Sequence, residues 1–122
     1  MILVDTSVWV DHLRSTGAQL SHLLNSMQIL IHPMIIGELA CGNLRGRNTL
    51  IGLWQSIGHI TEASHTEALV LLNKHNFIGK GISFIDLHLL ASVLLTPGSL
   101  LWTRDRLLNN IAQACNVSFA KH

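Results

Sequence analysis

The feature that most restricts what this chain can fold into is its opening, an uninterrupted apolar run, Met1-Ile2-Leu3-Val4. A carboxylate, Asp5, and two hydroxyls, Thr6 and Ser7, follow directly. A short apolar run without alternation reads as a strand buried on both faces, the central position of a parallel sheet. Val8-Trp9-Val10-Asp11-His12-Leu13 then reads as a helix. In open α/β sheets, ligands bind in the crevice beyond the carboxyl ends of the strands, which is where Asp5 falls. Asp5 therefore has two readings: a cap on the following helix, or the beginning of a metal or phosphate site.

The same alternation continues along the chain. Further strands are expected at 28–31, 59–63, 99–103 and 117–119. Helices are expected at 7–14, at 18–25 beyond a break at Gly17, and at 33–41, 49–57, 64–76, 83–95 and 104–115. The cues are local: Pro33 suits a first helical position, Gly42 closes a helix, Ser64-His65-Thr66-Glu67 is a capping box, and Thr96-Pro97-Gly98 is a stop. Strands alternating with helices predict an α/β fold, a three-layer α/β/α arrangement around a mostly parallel sheet of four to five strands. Residues 1–122 read as a single domain, without internal repeat or linker.

Composition narrows the function. The chain is 48% hydrophobic and 12% charged, against about 25% charged in ordinary domains, so it is globular and its surface calls for a partner. A net charge of +1 does not support non-specific DNA binding. Apolar runs are too short for a membrane span. There is no basic leader, and Asp5 interrupts any signal-peptide core. Cys41 and Cys115 lack ligand spacing and read as small apolar residues in a reducing compartment, so a cytoplasmic location is expected. The eight histidines show no zinc-helix pattern.

With so little charge, each of the seven acidic residues is informative. On the helix of 83–95, Asp86 falls beside Leu89, Leu90 and Val93, with His88 and Ser92 on the opposite side. An unpaired carboxylate on an apolar face is expensive; a Ser83–Asp86 capping box is the alternative. Glu38 is the only charge in Met34-Ile35-Ile36-Gly37-Glu38-Leu39-Ala40-Cys41. Asp105 repeats the placement of Asp5, after a strand and at a helix start. Asp11, Glu62 and Glu67 read as solvated. In a parallel sheet Asp5, Glu38, Asp86 and Asp105 can converge on one edge. Such a cluster repels itself unless cations neutralise it, and Mg²⁺ or Mn²⁺ suits oxygen ligands. A carboxylate-held metal is equipment for phosphodiester hydrolysis.

Asp5-Thr6-Ser7-Val8-Trp9, Glu38-Leu39, Ser83-Phe84-Ile85-Asp86-Leu87-His88-Leu89-Leu90-Ala91 and Thr103-Arg104-Asp105-Arg106-Leu107-Leu108, in that order, resemble the PIN domain. In particular they resemble the short VapC-type toxins of toxin–antitoxin pairs, and the likeness spans the whole chain. The resemblance implies a Mg²⁺- or Mn²⁺-dependent endoribonuclease using metal-activated water. Asp5, Glu38, Asp86 and Asp105 match the family's acidic positions, and Ser7 and Thr103 its supporting hydroxyls. It also implies a homodimer and a cognate VapB-type antitoxin, with a larger toxin–antitoxin complex as a further form. Arg45, Arg47, Lys80, Arg104 and Arg106 are candidates to meet RNA phosphates.

Two other classes compete. A receiver-type signalling domain also places an Asp at a strand end, but it wants a second acid beside it and a strand-end lysine. Here Thr6 and Ser7 follow Asp5, and Lys74, Lys80 and Lys121 lie in or near loops and the terminus. A catalytically silent RNA- or protein-binding domain has no need of four mutually repelling acids.

Overall fold

The computed structural model describes residues 1–15 and 18–119. The expected break at Gly17 and the terminal Lys121 lie outside the described residues. The element order is β1 (Ile2–Val4), α1 (Thr6–Ser15), α2 (Ala18–Asn25), β2 (Ile29–Ile31), α3 (Pro33–Ala40) and α4 (Arg47–Ser56). It continues with β3 (Gly58–His59), α5 (His65–Lys74), α6 (Phe84–Leu94), β4 (Leu100–Trp102) and α7 (Arg106–Ala114). The strands form one parallel sheet in the order β3-β2-β1-β4. The opening run is central, as expected: Ile2 and Leu3 pair with Ile29 and Leu30 on one side and with Leu100 and Leu101 on the other.

Strand order reverses at β1. The chain steps outward through β2 and β3, then returns across the sheet to place β4 on the other side of β1. α1 packs on α3 and α3 on α4, while α5 packs on α6, two groups that the right-handed crossover rule assigns to opposite faces when strand order reverses. The reversal opens a crevice between the carboxyl ends of β1 and β4, the switch point at which such sheets bind ligands.

Both faces of β1 are covered, with Leu3 and Val4 fully buried. Trp9 of α1 meets Trp54 of α4 edge-on at 5.8 Å between ring centroids, joining two helices of one layer. Buried aromatics of this size dominate the packing around them.

Two strand expectations change. The third strand is the two-residue Gly58–His59, not 59–63. Ile60 and Ala63 are still buried, but Ala63 sends its amide to the Ser92 hydroxyl at 3.0 Å, not into a ladder. Residues 117–119 make one parallel bridge, Ser118 with Leu101, and no fifth strand. No helix among the described residues is long and apolar enough to cross a membrane.

The reading of α6 also changes. This helix is buried nearly all round, from Leu87 through Val93. His88 and Ser92, expected to form its polar side, are buried with partners: His88 Nε2 lies 2.8 Å from His65 Nδ1, and the Ser92 hydroxyl donates to the His88 carbonyl at 2.8 Å. Polar side chains enter a core when neighbours satisfy them, and helical periodicity cannot show those neighbours.

Candidate active site at the strand carboxyl ends

Asp5 follows β1 and is 6% exposed. Its amide donates to the Trp102 carbonyl at 2.9 Å, stitching β1 to β4 at the crevice. An ordinary N-cap would take the second or third amide of the helix on its side chain. Asp5 does not. Its Oδ1 accepts from the Thr6 amide at 2.8 Å, and its Oδ2 accepts from the Ser7 hydroxyl at 3.0 Å and the Thr103 hydroxyl at 2.7 Å. The Asp5 backbone carbonyl takes the helical amides of Val8 and Trp9. Of the two readings of Asp5, the side chain favours a site over a cap.

The two hydroxyls are oriented from behind. The Arg104 amide donates to Ser7 Oγ and the Asp105 amide to Thr103 Oγ1, both at 3.0 Å. With one lone pair of each oxygen so engaged, the hydroxyl protons point at Asp5 Oδ2. Both hydroxyls thus converge on one oxygen and fix the orientation of the Asp5 side chain. The network also ties the junction after β1 to the junction after β4, 96 residues later for the Ser7 and Thr103 pair.

Glu38 reaches the same edge from α3. That helix starts at Pro33, as expected, and is capped by His32, whose Nδ1 accepts from the Met34 amide at 3.0 Å. Burial lowers the pKa of His32, which keeps the ring neutral and able to accept. At the other end, the Arg47 guanidinium donates to the Ala40 carbonyl, satisfying a helix-terminal acceptor. Glu38 itself is exposed, and its Oε1 accepts from the Thr6 hydroxyl at 2.6 Å.

Asp86 sits in the first turn of α6, half-buried. Ser83 caps that helix by accepting from the Asp86 amide at 3.1 Å. Burial, first, and then the nearby carboxylates of Asp5, Asp105 and, more weakly, Glu38 raise the Asp86 pKa from 3.8 to about 6; a hydrogen bond with Ser83 works against the rise. So the cap and the apolar surround coexist. Asp105 is the N-cap of α7, its Oδ1 accepting from the Leu108 amide at 2.8 Å. One of its oxygens is thereby committed to the helix.

The four acids thus come to one edge of the sheet, close enough that three of them act on the fourth. Among the described residues, no three acidic, histidine or cysteine side chains stand grouped as ready metal ligands. The donors are nonetheless all hard oxygens around a buried carboxylate, a set that suits Mg²⁺ or Mn²⁺ and not a soft metal.

The basic candidates separate. Arg45, Lys80 and Arg106 are exposed. Arg47 is engaged on α3, as above. Arg104 pairs with Asp11 at 3.0 Å and lies 5.9 Å from the Trp102 ring centroid. Asp11, read as simply solvated, is exposed but ion-paired. Thr6 is the polar residue near the acids whose partner was missed. Its place after Asp5 was visible; its contact with a residue 32 positions away was not.

A cavity of about 450 Å³ lies between α5 and the C-terminal half of α6, against Val70, Leu71, Ala91, Leu94 and Leu95. None of the four acids lines it, so the chemistry is assigned by residue type and topology and not by cavity size.

No protein-family model matches the chain. It is 38% identical over 121 residues to Ribonuclease VapC32 of Mycobacterium tuberculosis, in both strain CDC 1551 / Oshkosh and strain ATCC 25618 / H37Rv. That match covers 99% of this chain and 98% of the relative. Among solved structures, the crystal structure of PAE2754 from Pyrobaculum aerophilum is similar, with a TM-score of 0.63 and 18% identity, over 89% of this chain and 82% of that one. The second likeness bears on fold alone.

Proposed function

The chain belongs to the VapC-type family of PIN-domain ribonucleases, and from that premise we propose that it is a divalent-metal-dependent endoribonuclease, the toxin of a toxin–antitoxin pair. Residues 1–122 act as one nuclease domain in the cytoplasm. Asp5, Glu38, Asp86 and Asp105 are its catalytic acids and hold Mg²⁺ or Mn²⁺. The observation that carries the reading is that the buried Asp5 carboxylate is held by the Ser7 and Thr103 hydroxyls, with Glu38 joined to it through Thr6 and Asp105 through Thr103.

When bound, the cation neutralises the acids and supplies Lewis acidity toward a phosphodiester. The protein's part is to hold its oxygens in place beforehand. Ser7 and Thr103 fix one oxygen of Asp5. Thr6 fixes one oxygen of Glu38. Asp105 uses one oxygen to cap α7. Asp86, half-buried among like charges, has the strongest need for a neutralising partner. Arg45, Lys80 and Arg106, all exposed, are the candidates to meet RNA phosphates, and such contacts weaken with salt. Arg104 and Arg47 act first within the protein, on Asp11 and on α3.

A VapB-type antitoxin is the cognate partner. Leu69, Val70 and Leu95 are each between 45% and 58% exposed, and Ile78 is 61% exposed. That apolar surface supports a homodimer, and a larger assembly with the antitoxin.

The direct test incubates the purified protein with a mixed RNA pool in Mn²⁺ and in EDTA, beside Asp5→Asn. Wild type should cleave in Mn²⁺ alone, and Asp5→Asn in neither buffer. Cleavage in EDTA would contradict the metal dependence. Full activity in Asp5→Asn would contradict the site. RNA binding without cleavage in Mn²⁺ would favour the silent-domain reading.

A further inference from the structure

Two carboxylates at the strand ends are held by hydroxyls, and they are held by different ones. Ser7 and Thr103 converge on Asp5. The Thr6 hydroxyl turns instead to Glu38 Oε1, at 2.6 Å, and so links the first residue of α1 to the middle of α3. The partners differ in stiffness. Glu38 is exposed, on a long side chain whose ordering carries an entropic cost. Thr6 is β-branched, restricted at χ1, and anchored two residues after the central strand. Its bond occupies one Glu38 oxygen, and among the described residues Oε2 takes no hydrogen bond.

We propose that Thr6 is a positioning residue: it pre-orients Glu38, so that this carboxylate meets a divalent cation without first being ordered. The proposal rests on the reading of Glu38 as a cation-holding acid. Hydrogen-bond partners that orient a metal-binding carboxylate commonly account for about 10–100-fold in metal affinity. The contact also has an opposite reading. If Thr6 held Glu38 away from the cation, its removal would tighten binding.

The experiment titrates Mn²⁺ against the melting temperature of the full chain, without RNA, for wild type, Thr6→Val, Thr6→Ser and Glu38→Gln. Thr6→Val keeps the shape and removes the donor; Thr6→Ala serves if it fails to fold. Thr6→Val should need about 10-fold more Mn²⁺ for the half-maximal shift, in line with loss of an orienting partner. Thr6→Ser should return close to wild type. RNA cleavage by Thr6→Val should recover as Mn²⁺ is raised, which general loss of structure would not do. A weakened Glu38→Gln beside an unchanged or tighter Thr6→Val would overturn the role of Thr6 alone. A Glu38→Gln that binds Mn²⁺ like wild type would overturn the reading of Glu38 beneath it.

Discussion

Asp86 shows how one residue carries both a structural and a chemical demand. Its amide is used by the Ser83 cap and its carboxyl faces like charges, so its pKa stands near 6, not 3.8. A raised folded-state pKa means that the folded state binds the proton more tightly than the unfolded chain. The associated stability is fully present below about pH 4 and is lost as pH rises through about 6. At about 1.4 kcal/mol per tenfold change in proton affinity, discounted for partial exposure, Asp86→Asn should raise metal-free stability by about 1–2 kcal/mol at pH 7.5. At pH 4 it should change little. Denaturant unfolding in EDTA at both pH values reads this directly. A loss of about 0.3–1 kcal/mol at pH 7.5 would instead mark Asp86 as a first-turn helix charge. The lone carboxylate amid apolar neighbours was legible in the sequence. His88 and Ser92 were misread because their partners, His65 and Ala63, come from a different segment.

Among the elements, the alternation of apolar runs with periodic helices was plain, and helix boundaries followed their caps: Pro33, Ser64 with Glu67, and Ser83. The edge strand was less legible. Gly58–His59 is both exposed and short, so neither apolar pattern nor alternation marks it. Gly46 begins α4 at a φ of +67°, a left-handed turn glycine adopts freely. That turn brings Arg47 back onto the end of α3, a contact invisible to a reading of the loop as two free arginines. Arg47 and Arg45 should therefore behave differently. Arg47→Ala should lower stability by about 1 kcal/mol, the net worth of such a hydrogen bond. It should also speed amide hydrogen exchange in the last turn of α3. Arg45→Ala should leave stability within about 0.5 kcal/mol and weaken RNA cleavage at moderate salt. Equal effects of the two on both readouts would contradict this division.

At the scale of the whole molecule, the central strand was the most legible feature, because burial on both faces leaves it no polar residue. What the sequence could not show is that strand order reverses at β1, which brings Asp5, Thr103 and Asp105 to one crevice from opposite ends of the chain. The exposed Leu69, Val70 and Leu95 predict self-association; sedimentation should show a dimer at micromolar concentration, and a monomer would contradict it. The central claim is that the four carboxylates form one cation-holding site, and it is most directly tested by thermal melts in Mn²⁺ and in EDTA. A ligand bound only by the folded state stabilises by about 2.7 kcal/mol at a hundredfold excess over its dissociation constant. For a domain of this size that is a rise on the order of 10 °C. Wild type should show this increment, and Asp5→Asn and Asp86→Asn should each lose most of it. No increment in wild type at millimolar Mn²⁺, or an undiminished one in Asp5→Asn, would contradict the account.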